Sequence, residues 1–142
     1  MQKELNLLIA RNIDGEKGYA YASEHIKNEN FKNFLEAYAN QRRKYVEELK
    51  DRMKSLGLKP KVESSTLGSI HKAILDLRTK FTSNADKAIM EECERGESMA
   101  VSDYLKVLKS DQLDSETLKL VMKQRDKILA AKQTLNKLEE VI

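Results

Sequence analysis

The chain carries four long stretches in which apolar side chains recur every three or four residues, joined by connections of very uneven length. The first stretch runs from about Lys3 to Lys27 on Leu5, Leu8, Ile9, Tyr19, Ala22 and Ile26. The second reaches about Leu56 on Phe31, Phe34, Leu35, Tyr38, Tyr45, Leu49 and Met53. The third ends near Ser110 and uses Ile89, Cys93, Met99, Ala100, Tyr104 and Leu108. The last uses Leu118, Val121, Met122, Ile128, Leu129, Leu135 and Leu138. Such spacing puts side chains on one face of a helix, so each stretch predicts an amphipathic helix of roughly 25 residues, or about 40 Å.

The connections decide how these helices can be wired. Asn28-Glu29-Asn30 offers capping side chains in a tight turn, and Asp111 to Asp114 makes another, with Asp114 or Ser115 as cap. Each of those turns predicts an antiparallel hairpin. Between them, Gly57 and Pro60 stop the second helix, and the span from Lys59 to Ser83 is too long for a hairpin turn. Ser64-Ser65-Thr66 can cap a short helix containing Ile70, Ile74, Leu75 and Leu77, and Asn84 can cap the third long one. Two hairpins joined by a lengthwise crossover predict an all-α, ferritin-like four-helix bundle, with the second and third long helices on a diagonal. A chain of 142 residues fits one such domain, spanning 1–142.

Composition agrees and removes several function classes. Charged residues make up 35% of the chain, with five Gly, one Pro and no Trp, a balance that favours long helices over sheet. No stretch is apolar enough for a membrane span, and the start lacks the apolar run of a signal peptide, so a cytoplasmic location is expected. A lone Cys93 allows no internal disulfide and reads as an inert thiol on an apolar face. The net charge of +3 is unevenly placed: Gln41 to Lys61 holds eight basic and three acidic residues, and Asp86 to Asp103 six acidic and two basic. The basic stretch lacks interleaved aromatics or a recognisable motif, so nucleic acid is not an expected partner. His71, beside apolar residues, reads as a packing histidine, and Tyr19, Tyr38, Tyr45 and Tyr104 as core-edge residues whose hydroxyls reach polar partners.

Polar residues interrupt every stripe at mid-height. Asn12 and Glu16 fall in a gap of the first, Gln41 and Arg42 in the second, Glu97 in the third, and Arg125 and Lys132 in the fourth. The interruptions repeat. Gly15-Glu16 and Gln41-Arg42-Arg43-Lys44 in the first hairpin echo Gly96-Glu97 and Gln124-Arg125-Asp126-Lys127 in the second, with Glu-to-Gln separations of 25 and 27 residues. The runs Asp14-Gly15-Glu16-Lys17-Gly18-Tyr19, Gln41-Arg42 with Tyr45 and Glu48-Leu49, and Glu92-Cys93-Glu94-Arg95-Gly96-Glu97 resemble a bacterial family of uncharacterised ferritin-like four-helix-bundle proteins. The resemblance covers nearly the whole chain and implies the fold without an activity. Members of that group often carry a His where this chain has Lys132.

Di-metal proteins of this architecture take one Glu from each of two helices and a Glu-x-x-His pair from each of the others, because a three-residue step keeps both ligands on one face. Glu16 and Glu97 stand where the lone Glu ligands belong, but the facing positions read Gln41-x-x-Lys44 and Gln124-x-x-Lys127, and no Glu-x-x-His occurs. Arg42, Arg125 and Lys132 bring more positive charge to that height. The expectation is therefore a buried polar layer of Glu16, Gln41, Arg42, Lys44, Glu94, Glu97, Gln124, Arg125, Lys127 and Lys132 in place of a metal centre. The competing reading is an iron or manganese carboxylate oxidase or metal-binding protein using Glu16, Glu94 and Glu97. The favoured role is non-enzymatic and works through association, including a possible homo-oligomer.

Overall fold

The computed structural model describes residues 1–65 and 85–141. These form four long helices: α1 (Gln2–His25), α2 (Glu29–Ser55), α3 (Ala85–Leu108) and α4 (Ser115–Glu140). Among the described residues there is no strand. The short helix expected between Ser64 and about Phe81, His71 within it, and the Asn84 cap lie outside the described residues.

Local chemistry explains the helix ends. Asn28 caps α2, its side chain accepting from the backbone N–H groups of Asn30 at 2.9 Å and Phe31 at 3.2 Å. Those are orphan donors of the first turn, so the cap stabilises by about 1 kcal/mol. Gly57 closes the same helix at φ 74°, a left-handed conformation that suits glycine. There the Leu58 N–H donates back to the Met53 carbonyl at 2.9 Å, satisfying the last turn.

Side-chain bonds fix the directions of the helices. Along α1 and just past its end, residues 11, 12, 19 and 27 meet 103, 104, 97 and 86 of α3, so the two run antiparallel. The tight turns make α1–α2 and α3–α4 antiparallel hairpins, and Arg52 of α2 reaches Asp114, Glu116 and Thr117 at the start of α4. Helix α1 packs on α2 and α3, and α4 packs on α3 and α2. That leaves α2 and α3, consecutive in the chain, on a diagonal. After α2 the chain turns back along α1, with the Lys61 N–H donating to Asn6 at 2.8 Å and the Ser65 N–H to Asp14 at 3.0 Å.

Two apolar clusters fill the bundle. One contains Leu5, Leu8, Ile9, Leu49, Met53 and Val121, and the other Ala22, Phe31, Leu35, Ile89, Met90 and Leu135. Fully burying a Leu or Ile stabilises by ~1.5–3 kcal/mol, so these clusters supply most of the drive to fold. Some stripe positions from the sequence lie at the surface instead. Phe34, Leu118, Met122 and Leu129 are exposed. Polar side chains occupy the space between the clusters.

Candidate functional site

The α1 stripe, counted by alternating steps of three and four, passes through Leu5, Leu8, Asn12, Gly15, Tyr19, Ala22 and Ile26. Gly15 is therefore the inward position at mid-height, and Glu16 is one step off it. A glycine there leaves a gap, and the Arg42 side chain of α2 runs through it. A Cβ added to Gly15 would stand 3.3 Å from Arg42 Cγ. Arg42 thereby crosses the bundle from α2 to its diagonal neighbour α3.

Across the bundle it meets Glu97. The guanidinium donates from Nη1 to Oε1 at 2.8 Å and from Nη2 to Oε2 at 2.5 Å, a bidentate pair. The Tyr19 hydroxyl of α1 donates to the same Oε2. Both charged side chains are only 1% exposed, so neither is solvated by bulk water. The Tyr19 and Tyr45 rings flank the guanidinium at 5.6 and 6.0 Å from its carbon, adding cation–π attraction. Arg42 Nε is buried without a partner.

Burial sets the protonation chemistry of this cluster. It pushes the Glu97 carboxyl above its usual range, while Arg42 and the Tyr19 hydroxyl pull it back. Tyr19 is raised well above its ordinary value by burial first and by the Glu97 charge second. Cys93, partly buried nearby, has its thiol pushed up by burial and then by Glu97, so it is not an activated nucleophile.

A second polar layer lies next to the first. Asn12 Nδ2 donates to the Tyr104 hydroxyl at 2.7 Å, that hydroxyl donates to Gln124 Oε1 at 2.6 Å, and Gln124 Nε2 donates to Glu48 at 3.1 Å. One hydrogen-bond chain thus links α1, α3, α4 and α2. All of its groups except Glu48 are buried.

The expected ten-residue layer is therefore smaller than the sequence suggested. Arg42, Glu97 and Gln124 point into the core. Glu16 does not join them: it is part-exposed and accepts from Arg43 at 2.8 Å, because Gly15 holds the inward position. Arg125 is likewise turned outward, bonding Asp126 at 2.7 Å, since Gln124 holds the core position of α4. Lys44 and Lys127 are exposed, Lys132 is half-buried, and neither Arg125 nor Lys132 pairs with Glu97. Gln41 is half-buried with its side-chain oxygen unbonded. Glu94 sits among Asn136 and Glu139, away from the Arg42–Glu97 pair. Asn12 Nδ2 also reaches the Leu8 carbonyl, at 2.8 Å. Buried Asp14, which accepts from Ser65, was not among the expected site residues.

Among the described residues, no three His, Cys, Asp or Glu side chains converge as metal ligands. Glu16, Glu94 and Glu97 have different partners and do not share a centre. A cleft of about 80 Å³ between α1 and α3, lined by Gly15, Gly18 and Gly96, leads down to the Arg42–Glu97 pair.

Residues 1–110 match the model of a family described as a domain of unknown function, DUF2383. The chain belongs to that family. Its DUF2383 span holds α1, α2 and α3, and with them Arg42, Glu97 and Tyr19; Gln124 and the rest of α4 lie beyond the matched residues. No match was found among curated proteins. Among the described residues, no helix is long and apolar enough to cross a membrane.

Proposed function

We propose that this chain is a single-domain, ferritin-like helical bundle that performs no metal chemistry and works in the cytoplasm by associating with itself or with a partner. The observation that carries this reading is the occupancy of Glu97. Both of its oxygens accept hydrogen bonds, from a bidentate arginine and a tyrosine hydroxyl, so the one acid on the core line of the mid-bundle layer is already paired with a cationic side chain. An iron or manganese pair brings about four positive charges and needs several carboxylates with neutral imidazoles around it. Here the equivalent volume already holds a guanidinium. The residues present do not fit a di-metal centre.

The diagonal placement of α2 and α3 supports the ferritin-like wiring. The polar cluster then has a structural role. A buried ion pair rarely stabilises more than apolar packing would, but it penalises any helix register that leaves either charge alone. The described residues of the layer hold no nucleophile–base pair, which supports a role through association.

Metal analysis of the full chain, expressed in medium supplemented with iron and manganese, tests this. Substoichiometric metal is expected, well under ~0.2 equivalents, where a di-metal site would hold about two. Two equivalents in the unmodified protein would overturn the reading and promote the oxidase alternative.

A further inference from the structure

The outward face of α4 carries two rows that a solitary helix would avoid. Leu118, Met122 and Leu129, spaced by four and seven residues, share one side of the helix and remain 36%, 41% and 37% exposed. Beside them run Lys119, Lys123 and Lys127, exposed and spaced by four, a like-charge row that repels itself along the helix. The exposed acids closest to these rows are already engaged: Asp126 bonds Arg125 at 2.7 Å, and Glu116 bonds Arg52 at 2.7 Å. No lysine of the row pairs with an acid of the described residues. An apolar row in water and an uncompensated basic row beside it are both unfavourable, and one partner relieves both.

We propose that this face of α4 docks on an anionic lipid surface, with the lysine row on the headgroups and Leu118, Met122 and Leu129 entering the interface. This rests on the reading that the chain acts by association. Charge complementarity selects the partner. A second copy, docked antiparallel through the same face about a two-fold axis, would bring lysine row against lysine row. A flat anionic surface meets both rows of a convex helix at once, as interfacial amphipathic helices do. The binding is peripheral and reversible, because three part-exposed apolar side chains anchor weakly.

Sedimentation of the full chain with phosphatidylcholine vesicles, with and without phosphatidylglycerol, is the test. Roughly tenfold more protein is expected to pellet with the anionic vesicles, and high salt should release it. Replacing Lys119, Lys123 and Lys127 together by Glu should abolish pelleting, and Leu118→Ser with Met122→Ser and Leu129→Ser should lower it several-fold. Circular dichroism of each variant should match the parent, since the three lysines are exposed and the three apolar side chains are part-exposed. Equal pelleting with both vesicles, or lysine-to-Glu variants that pellet like the parent, would overturn the lipid assignment. Binding to polyglutamate but not to vesicles, or a dimer in sedimentation velocity that the Ser variants dissolve, would also overturn it while leaving association intact. A monomer that binds neither vesicles nor polyglutamate would sink both readings.

Discussion

The two hairpins use nearly the same polar words and put them to opposite uses. In the first, Gly15 takes the inward position and Glu16 turns out to Arg43, while Arg42 of the facing helix points in. In the second, Glu97 takes the inward position and Gly96 turns out, while Gln124 points in and Arg125 turns out to Asp126. Each Gly-Glu and Gln-Arg pair is shifted by one residue against its core stripe. The result is one buried base from the first hairpin and one buried acid from the second, meeting across the bundle diagonal. Had the repeats been in the same register, the core would have held two acids facing two glutamines, or two glycines facing two arginines. The offset sets the buried Arg42 charge against the buried Glu97 charge, so neither is left alone in a low-dielectric interior.

Removing one member of each echo should separate the buried pair from its outward counterparts most strongly. Arg42→Ala is expected to destabilise by ~3–5 kcal/mol because it strands the Glu97 charge. Arg125→Ala and Glu16→Gln should each cost under ~1 kcal/mol, as for other part-exposed pairs. Urea unfolding of the three variants measures the contrast. Similar losses in all three would erase the difference between the hairpins.

A smaller effect should follow at the neutral layer. Tyr104→Phe removes the hydroxyl shared by Asn12 and Gln124 and leaves two buried amide groups short of a partner, at ~1–3 kcal/mol. Thermal unfolding followed by circular dichroism reads this directly, and an unchanged midpoint would mean that the amides find other partners.

The two glycines should respond with opposite signs. Gly15→Ala pushes a methyl against Arg42 Cγ and is expected to cost ~1–2 kcal/mol. At Gly96 an added Cβ meets nothing within 4 Å among the described residues, so Gly96→Ala should stabilise by up to ~1 kcal/mol through helix propensity. Equal effects would remove the register offset as their explanation.

The finest distinction is a pH dependence at the α3–α4 end of the second hairpin. Partial burial, followed by the charges of Glu94 and Glu91, raises the Glu139 carboxyl from its ordinary 4.5 to about 7, with Lys87 opposing. A raised acid favours folding in its protonated form. Its contribution is complete below pH 4.5 and is lost as pH rises to about 7. Glu139→Gln should flatten the fall in melting temperature across that window, and a slope identical to the parent's would contradict the shift.

Much of this architecture was legible in the chain. Stripe spacing gave the four helices, and Asn28 and Gly57 gave ends that the structure shows closed by their own hydrogen bonds. The site was legible only in part. Glu97 and Arg42 stand out as charges breaking apolar stripes, but Glu16 passes for an inward residue because Gly15 has no side chain to mark it as a stripe position. Counting the stripe through Asn12, Gly15 and Tyr19 would have placed Glu16 outside. Which base Glu97 would choose was not readable, because Arg42, Arg125 and Lys132 all interrupt apolar stripes, and selection depends on the gap at Gly15. The sequence places the Tyr19 hydroxyl against a polar partner, but its convergence on the same carboxylate needs three helices in place at once.

A double-mutant cycle on Arg42 and Glu97 tests most directly whether these two side chains form one buried unit. Arg42→Met and Glu97→Leu should each destabilise by ~3 kcal/mol or more in urea unfolding, since each leaves a lone buried charge. The double variant removes both charges and fills the space with apolar atoms, so it should lose no more than either single change. That corresponds to a coupling of about 3 kcal/mol. Additive losses, with coupling below ~0.5 kcal/mol, would mean that the two side chains do not depend on each other and that Glu97 is free for another partner.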